Sequence, residues 1–203
     1  MARTSQHLLK RGSLFSMFCL SYFPLFLLLG IKIFIENAQY FHFGGFNTKA
    51  ILLFLKHFGF IALLVLLSLF AIFGTIITFH KIQSKKANAF PVKVDSIKSK
   101  NEEALSYLAT YVIPLLAQGV LGLFEYATFI ILFIIYYRLY STSSLIVINP
   151  VLNMKYGLYE LDYTIGNNNK ASKNALIISN KKWIEEGDDL LIIKLSHRLY
   201  FAF

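Results

Sequence analysis

Charged residues are scarce in this sequence. Asp, Glu, Lys and Arg make up 15% of its 203 residues, whereas hydrophobic residues make up 56%. Ordinary soluble domains carry about 25% charged and about 45–50% apolar residues. A soluble core of this size cannot hide the surplus of apolar side chains, so the surplus must face lipid or a partner protein. The composition therefore argues against an ordinary soluble domain.

Cysteine and the motifs of catalysis are nearly or wholly absent. The one cysteine, Cys19, excludes an intramolecular disulfide framework. No P-loop, GxGxxG, GxSxG or HExxH pattern occurs. No two of the five histidines fall three or four positions apart on one helix, which argues against a metal site. We therefore expect no enzyme activity, no cofactor and no bound metal.

Long uncharged runs occupy most of the first 140 residues. About 20 apolar residues in a helix span the hydrocarbon core of a bilayer. Residues 14–35 contain one charge, Lys32, and residues 58–79 contain none. Pro24 is expected to kink the first of these spans. Both runs are predicted to be transmembrane helices.

A third apolar region runs from 104 to 148 and contains only two charges, Glu125 and Arg138. One helix of this length would reach about twice the bilayer thickness. Gly119 and Gly122 offer a break, so we interpret the region as two spans, at about 104–120 and 123–141. The transmembrane domain then covers 14–141.

Basic residues indicate the orientation of these spans. The N-terminal tail, 1–13, has three Lys or Arg, the loop 80–103 has six, and the part from Arg138 onward has eight. The loop 36–50 has one and the turn 119–122 has none. Basic loops stay in the cytoplasm. Four spans with both termini cytoplasmic satisfy every loop, whereas three would put the basic loop and the tail on opposite sides.

The tail, 142–203, has the composition of a small β domain. Five short β-rich runs alternate with turn residues: SLIVINP, YGLYELDYTI, ALIIS, LLIIKL and LYFAF. This predicts a cytoplasmic, barrel-like sheet that is too small to be robust alone and packs on its own helices, sister subunits or a partner. The loop 80–103 is expected to be exposed, with a short extended piece around Val92–Val94. The acids around Gly187 are interpreted as a solvated turn.

The predicted fold is thus a membrane all-α bundle of four transmembrane helices followed by a cytoplasmic β-rich domain. Gln118 and Glu125 are the candidate site residues, because a carboxylate within a span is costly and is often functional. Two interpretations of Glu125 stay open: a side chain that reaches water at the interface, or a polar contact between subunits or with a central cavity. Ser68, Ala71 and Gly74 recur every three positions, as on a helix-packing face.

The order of these parts resembles the KwaA family, the membrane subunit of the Kiwa anti-phage defence system. The resemblance rests on scattered positions: Asn101-Glu102-Glu103, Leu108, Thr110-Tyr111, Pro114-Leu115, Asn149-Pro150, Tyr156, Gly157, Tyr159 and the end ALIIS…WIEEGDDLLIIKLSHRLYFA. It implies a multi-pass bacterial inner-membrane protein that forms homo-oligomers, with a tetramer assumed. It also implies a soluble cytoplasmic partner, KwaB, that acts on phage DNA or its expression.

Two functions of different classes are therefore expected to compete. The first is a membrane scaffold and sensor that detects phage attack and docks the cytoplasmic effector, without itself binding nucleic acid. The second is a small oligomeric channel or transporter in which Gln118 and Glu125 line the path. The lack of further charges within the spans argues against a dedicated ion relay.

Overall fold

The computed structural model describes residues 9–41, 45–100, 123–142, 149–165, 172–196 and 198–203. Within these ranges lie five α-helices: α1 (Arg11–Ser21), α2 (Phe23–Asn37), α3 (Thr48–Gln83), α4 (Leu123–Thr142) and α5 (Pro150–Lys155). Five strands complete the fold: β1 (Phe90–Ser99), β2 (Gly157–Thr164), β3 (Lys173–Ser179), β4 (Asp189–Lys194) and β5 (Leu199–Ala202).

The first apolar run forms two helices instead of one kinked span. α1 and α2 meet at Tyr22 with a bend of 55°. Pro24 explains the break, because its ring nitrogen has no hydrogen to donate to the carbonyl of Leu20 and its ring crowds that carbonyl. The chain closes the end of α1 with the Tyr22 N–H, which donates to the Cys19 oxygen at 3.2 Å.

The second run lies within α3, which is longer than the predicted span 58–79 and would measure about 54 Å at 1.5 Å per residue. Among the described residues, α3 is the one single helix that is long and apolar enough to cross a membrane, and the bent α1–α2 pair passes the same test if it counts as one span. The predicted fourth span, 123–141, coincides with α4, of which Ala127–Arg138 is apolar. The predicted third span, 104–120, lies outside the described residues, so four membrane crossings are not shown.

α1 packs against α3 at small residues. Ala71 is fully buried, and a Cβ atom added to Gly74 would lie 2.6 Å from the Cβ of Ser16. Such close approach requires a residue without a side chain. The structure therefore puts Ala71 and Gly74 of the predicted small-residue face at the contact with α1, while Ser68 is half-buried.

The strands close into a barrel in the order β1-β2-β3-β5-β4. Neighbours are antiparallel, except for β3 and β5, which are parallel. The barrel-like domain that the sequence predicts is thus present, and it has the five-stranded Greek-key arrangement of the OB-fold. A fold-level likeness of this kind carries no functional assignment.

One strand of the barrel comes from an unexpected place. Four strands match predicted runs of the tail. The fifth, β1, lies in the segment 80–103, which was expected to be an exposed loop with a short extended piece around Val92–Val94. That extended piece is confirmed, but it belongs to a strand of 10 residues. β1 pairs with β2 along one edge and with β4 along the other, so it closes the sheet. Val92 and Val94 point into the barrel, while Lys93 between them is exposed. Of the predicted run SLIVINP, residues 144–148 lie outside the described part, Asn149 is the N-cap of α5 and Pro150 is its first residue.

The helices and the barrel share buried surface. Alternate side chains of the strands fill the barrel, such as Leu161, Ile177 and Ile192. The intervening residues, among them Ile178 and Phe201, face outward and join one apolar cluster with residues of α1, α2 and α3. The side-chain alternation of a strand thus lets the same sheet contribute to two cores.

Candidate functional site at the junction of helices and barrel

The structure describes no side-chain contact for either predicted site residue, Gln118 or Glu125. Gln118 lies outside the described residues. Glu125 lies on the first turn of α4, but its side chain is outside the described part. Whether either residue makes a polar contact in a membrane therefore stays a prediction. A larger group of aromatic and polar side chains comes together where the helices meet the barrel.

Three aromatic rings join α3 to the barrel. Phe79, near the end of α3, stacks on Tyr156 with ring centroids 4.5 Å apart and planes 8° from parallel. Both rings meet Phe201 of β5 edge-on, at 5.8 Å and 6.0 Å. Offset and edge-on pairs add about 0.5–1.5 kcal/mol each beyond the burial of their area. The rings therefore form a stiff contact between the two regions.

Asn149 ties the segment before the barrel to α1. Its side chain is fully buried, and its Oδ1 accepts hydrogen bonds from the backbone N–H groups of Val151 and Leu152 at 3.1 Å. Its Nδ2 donates to the carbonyl of Met17 at 2.9 Å. One amide thus caps α5 and holds it against α1, as expected of Asn before a helix that begins with Pro. Sequence reasoning noted Asn149-Pro150 but assigned it no role, because the contact with α1 is long-range.

Several chain segments meet at the barrel. The backbone N–H of Leu9, just before α1, donates to the carbonyl of Leu195 at 3.3 Å. β1 and β2 pair up to Ser99 and Tyr159, so the chain between them, which contains α4, leaves the barrel and returns to it. The C-terminus ends one residue after β5. The start of the described chain, both ends of the α4 segment and the C-terminus therefore all lie at the barrel.

A cleft of about 330 Å³ opens beside the three aromatic rings. One wall is a single face of α3, whose lining residues recur every three or four positions: Ile72, Thr75, Ile76, Phe79, His80 and Gln83. The facing wall comes from α5 and the residue after it: Val151, Leu152, Lys155 and Tyr156. Leu20 of α1 completes the lining.

The cleft contains a hydroxyl without a hydrogen-bond partner among the described residues, and an exposed cation. The hydroxyl of Thr75 is buried and has no hydrogen-bond partner among the described residues. The Nζ of Lys155 lies 5.6 Å from the centroid of the Tyr156 ring. Burial raises the pKa of the Tyr156 phenol, so this group stays neutral at physiological pH. The cleft is thus apolar at its base, with nitrogen-bearing side chains from both walls.

A smaller polar cluster lies at the opposite end of the helices. The Nδ1 of His57 lies 3.1 Å from the Oδ1 of Asn37, which links α2 to α3. The His57 ring also stacks on Tyr40, with centroids 3.9 Å apart. This contact places the end of α2 beside the first part of α3.

On the barrel, the loop between β3 and β4 exposes Trp183. Its side chain is 88% exposed, which is unusual for the largest apolar residue. The following turn is closed by the backbone N–H of Glu185, which donates to Oδ2 of Asp188 at 3.1 Å, and it uses Gly187 at φ +93°. A positive φ favours glycine. The acidic stretch is therefore an ordered, exposed turn, as predicted, that holds the tryptophan beside Lys181 and Lys182.

Comparison with known protein families supports the resemblance seen in the sequence. The family model described as anti-phage protein KwaA matches residues 13–201, which include almost all of α1 and the entire barrel. Comparisons with curated proteins and with solved structures give no match. Because the family model covers nearly the whole chain, the protein belongs to the KwaA family of anti-phage proteins.

Proposed function

We propose that this member of the KwaA family is a multi-pass membrane scaffold and sensor. Its helices lie in the bacterial inner membrane as a homo-oligomer, with both termini in the cytoplasm. Its barrel docks a soluble, nucleic-acid-binding effector of the KwaB type, and disturbance of the bilayer during phage attack changes how that effector is held. The protein itself carries no catalytic activity in this scheme. The main support is one observation: helices with outward apolar faces share a buried core with a polar barrel.

The outward faces of the helices favour a membrane. Only 17% of the most apolar stretch of α3 is buried within the chain. Large side chains such as Leu66, Phe73 and Ile76 are 59–63% exposed. Exposing apolar surface to water costs about 25 cal/mol per Å². The described residues leave these faces exposed, and lipid or sister subunits would cover them in a bilayer.

The convergence of chain segments on the barrel favours an even number of crossings. Leu9 and Leu195 are hydrogen-bonded, so the chain enters α1 from the side on which the barrel lies. The segment between β1 and β2 also departs from that side and returns to it. Two crossings before β1 and two between β1 and β2 fit this arrangement. The basic residues near these positions favour the cytoplasm as the common side.

Trp183 is the favoured contact for the effector. Tryptophan is enriched among the residues that dominate binding energy at interfaces. Here it projects from an ordered loop, flanked by Lys181 and Lys182 on one side and by Glu185 and Glu186 on the other. Trp183 is exposed and is not among the residues of the core that the barrel shares with the helices. A partner can therefore reach Trp183 without displacing the helices.

The contacts between the helices and the barrel could couple a change in the membrane helices to the bound effector. Coupling between two sites requires an element that both sites bias. The stack of Phe79 on Tyr156, and the amide of Asn149 on Met17, connect α3 and α1 to the barrel. A shift of α1 against α3 would change these contacts and thereby the position of the barrel. We assign the coupling to this junction.

The docking proposal is tested by co-purifying the full chain with its soluble effector from membranes. Replacement Trp183→Ala should lower effector recovery about tenfold or more, because loss of a dominant interface residue costs about 2 kcal/mol or more. Met154→Ala is the matched control, since Met154 is also a large exposed apolar residue, at 78%. Undiminished recovery with Trp183→Ala would contradict the assignment.

The membrane part of the proposal has its own test. Reporter tags fused to each terminus should both report the cytoplasm, and the chain should stay in membranes after alkaline washing. Tags that report opposite compartments, or a chain that is soluble without detergent, would overturn the scaffold proposal.

A further inference from the structure

We propose that the cleft between α3 and α5 binds one anionic phospholipid, with the phosphate at His80 and Lys155 and an acyl chain along Ile72 and Ile76. This inference rests on the proposed membrane location of α3, and it adds to that proposal a specific ligand and its residues.

The cleft has the polarity of a phospholipid. Along α3, the lining residues Ile72 and Ile76 come first, and His80 and Gln83 come last. From Ile72 to Gln83 the helix rises about 16 Å, enough for a headgroup and the upper part of one acyl chain. The apolar part of the cleft is nearest the middle of α3, and the polar part lies where α3 ends beside the barrel. A lipid bound in the cleft would therefore have the same headgroup orientation as the lipids of the surrounding leaflet.

Charge complementarity selects an anionic headgroup. Lys155 approaches the cleft from α5, opposite His80 on α3. The cleft lining contains no Asp or Glu among the described residues. Cations next to a membrane surface attract anionic lipids. A zwitterionic lipid, whose headgroup is neutral overall, gains less from such a site.

Thr75 supplies an independent observation. Its hydroxyl is buried without a hydrogen-bond partner among the described residues, although Thr78 on the same helix donates to the carbonyl of Gly74 at 2.7 Å. Leaving a buried hydroxyl unsatisfied is unfavourable, so such groups usually find a partner. Thr75 lines the cleft. An ester oxygen at the start of the acyl chain would accept a hydrogen bond from this hydroxyl, which lies about 7.5 Å of helix rise from the phosphate site at His80.

The apolar side of the cleft also continues onto a surface of α3 that the described residues leave exposed. Ile76 is 59% exposed, and its neighbours Phe73 and Ile77 are 60% and 52% exposed. Lipid that covers this face of α3 is therefore continuous with lipid that would enter the cleft. The occupant favoured by the structure is consequently a membrane lipid instead of a soluble phosphate compound.

The test uses the full chain, extracted in mild detergent from membranes to which it has been shown to bind. Native mass spectrometry counts the phosphatidylglycerol or phosphatidylcholine retained when each lipid is supplied in mixed micelles. The wild-type chain should retain phosphatidylglycerol about tenfold more than phosphatidylcholine. The double variant His80→Gln, Lys155→Gln should lose that preference. The matched control Lys81→Gln, Lys85→Gln removes positive charge outside the cleft and should keep it.

Several results would overturn the proposal. Equal loss in the test and control variants would mean that charge alone attracts the lipid, without a site. Equal retention of the two lipids by the wild type, or of phosphatidylglycerol by wild type and double variant, would exclude the cleft as an anionic-lipid site. Displacement of the lipid by glycerol 3-phosphate at equal concentration would assign the cleft to a soluble phosphate. In all of these cases the chain is still recovered from membranes, so the lipid site fails while the scaffold proposal stands. If the chain is absent from the membrane fraction, both the lipid-site proposal and the scaffold proposal are wrong.

Discussion

Apolar side chains of the barrel point inward on alternate positions, whereas those of α3 point outward along most of its length. In β3, Ala175 and Ile177 fill the barrel, and Ile178 packs on the helices. In α3, only 17% of the most apolar stretch is buried within the chain. The barrel buries its apolar residues by itself together with the helix ends, whereas the described residues leave most of the apolar stretch of α3 exposed. The chain thus contains one region that buries its apolar side chains, the barrel, and one region that exposes them, α3.

The difference has a consequence for what holds each region together. Where lipid already surrounds apolar helices, the hydrophobic effect does not drive them together, so close packing of small residues matters more. α1 and α3 meet at Ser16, Ala71 and Gly74, in agreement with this rule. The barrel depends instead on burial of large side chains, of which Phe201 is central. Substitutions at the contact between α1 and α3 should therefore change stability through close packing. Substitutions at Phe201 should change it through the loss of buried apolar area.

The largest effect is expected for Phe201→Ala, which removes a fully buried ring where the barrel and the helices meet. Phe→Ala in a core typically costs about 3–5 kcal/mol. Hydrogen exchange of β2 and β3 amides, together with urea unfolding in detergent, should show a large loss of barrel stability. Leu191→Ala, at a barrel residue that is 42% exposed, is the control and should cost about 1 kcal/mol or less. Similar losses for both variants would mean that the shared core is not what stabilises the barrel.

A smaller effect, confined to the helices, is expected for Gly74→Ala. The added Cβ would lie 2.6 Å from the Cβ of Ser16, so α1 must move. Overpacking costs about 1–3 kcal/mol, which outweighs the gain of about 1 kcal/mol from replacing glycine within a helix. Helix content during detergent or urea unfolding is the measurement.

Gly59→Ala sharpens this test, because it makes the same change on the same helix where the nearest atom, Leu55 Cδ2, is 3.8 Å away. There the gain in helix propensity should remain, so the two variants should shift stability in opposite directions. A stabilising Gly74→Ala would show that α1 and α3 do not pack as closely as described.

The smallest effect is a pH dependence limited to the barrel surface. Hydrogen bonds from Asn174 at 3.0 Å and Ser96 at 2.9 Å lower the pKa of Asp162 below its ordinary value of 3.8. The folded state therefore holds the carboxylate ionised more firmly than the unfolded chain does. Its stabilising contribution is present above pH 3.8 and is lost as the pH falls through the lowered pKa.

Asp162→Asn should accordingly weaken the barrel slightly near neutral pH and flatten its loss of stability in acid. Urea midpoints measured between neutral and acidic pH would reveal both changes. Glu186→Gln, which removes another exposed acid of the barrel, reports how much of the change follows from net charge alone. Identical acid profiles for wild type and Asp162→Asn would contradict the role of these hydrogen bonds.

Prediction from the sequence succeeded where the signal is local. Alternating β-rich runs located β2, β3, β4 and β5, and the uncharged runs located α3 and α4. The break near Pro24 was expected as a kink, and it proved to be a separation into two helices. These features depend on side-chain period, charge and proline geometry, all of which can be read from neighbouring residues.

Prediction failed where distant segments meet. The sequence predicted a short extended piece around Val92–Val94, but it did not predict that β1 is a full strand of the barrel, because the partners of β1 lie in β2 and β4. The cleft likewise needs α3 beside α5, and Asn149 needs Met17. Neither contact leaves a local pattern. Gln118 and Glu125 were selected for the cost of polar groups in lipid, and their contacts stay predictions.

By itself, the sequence determined that most of its first 140 residues are poorly suited to water and that its tail forms strands, because composition and period act on each segment independently. The tertiary structure alone decided that β1 closes the barrel, that helices and barrel share one core, and that a cleft opens at their junction. These features arise from pairing and packing between segments that are far apart in the chain. Each segment could make several such contacts, and only the complete fold determines which of them form.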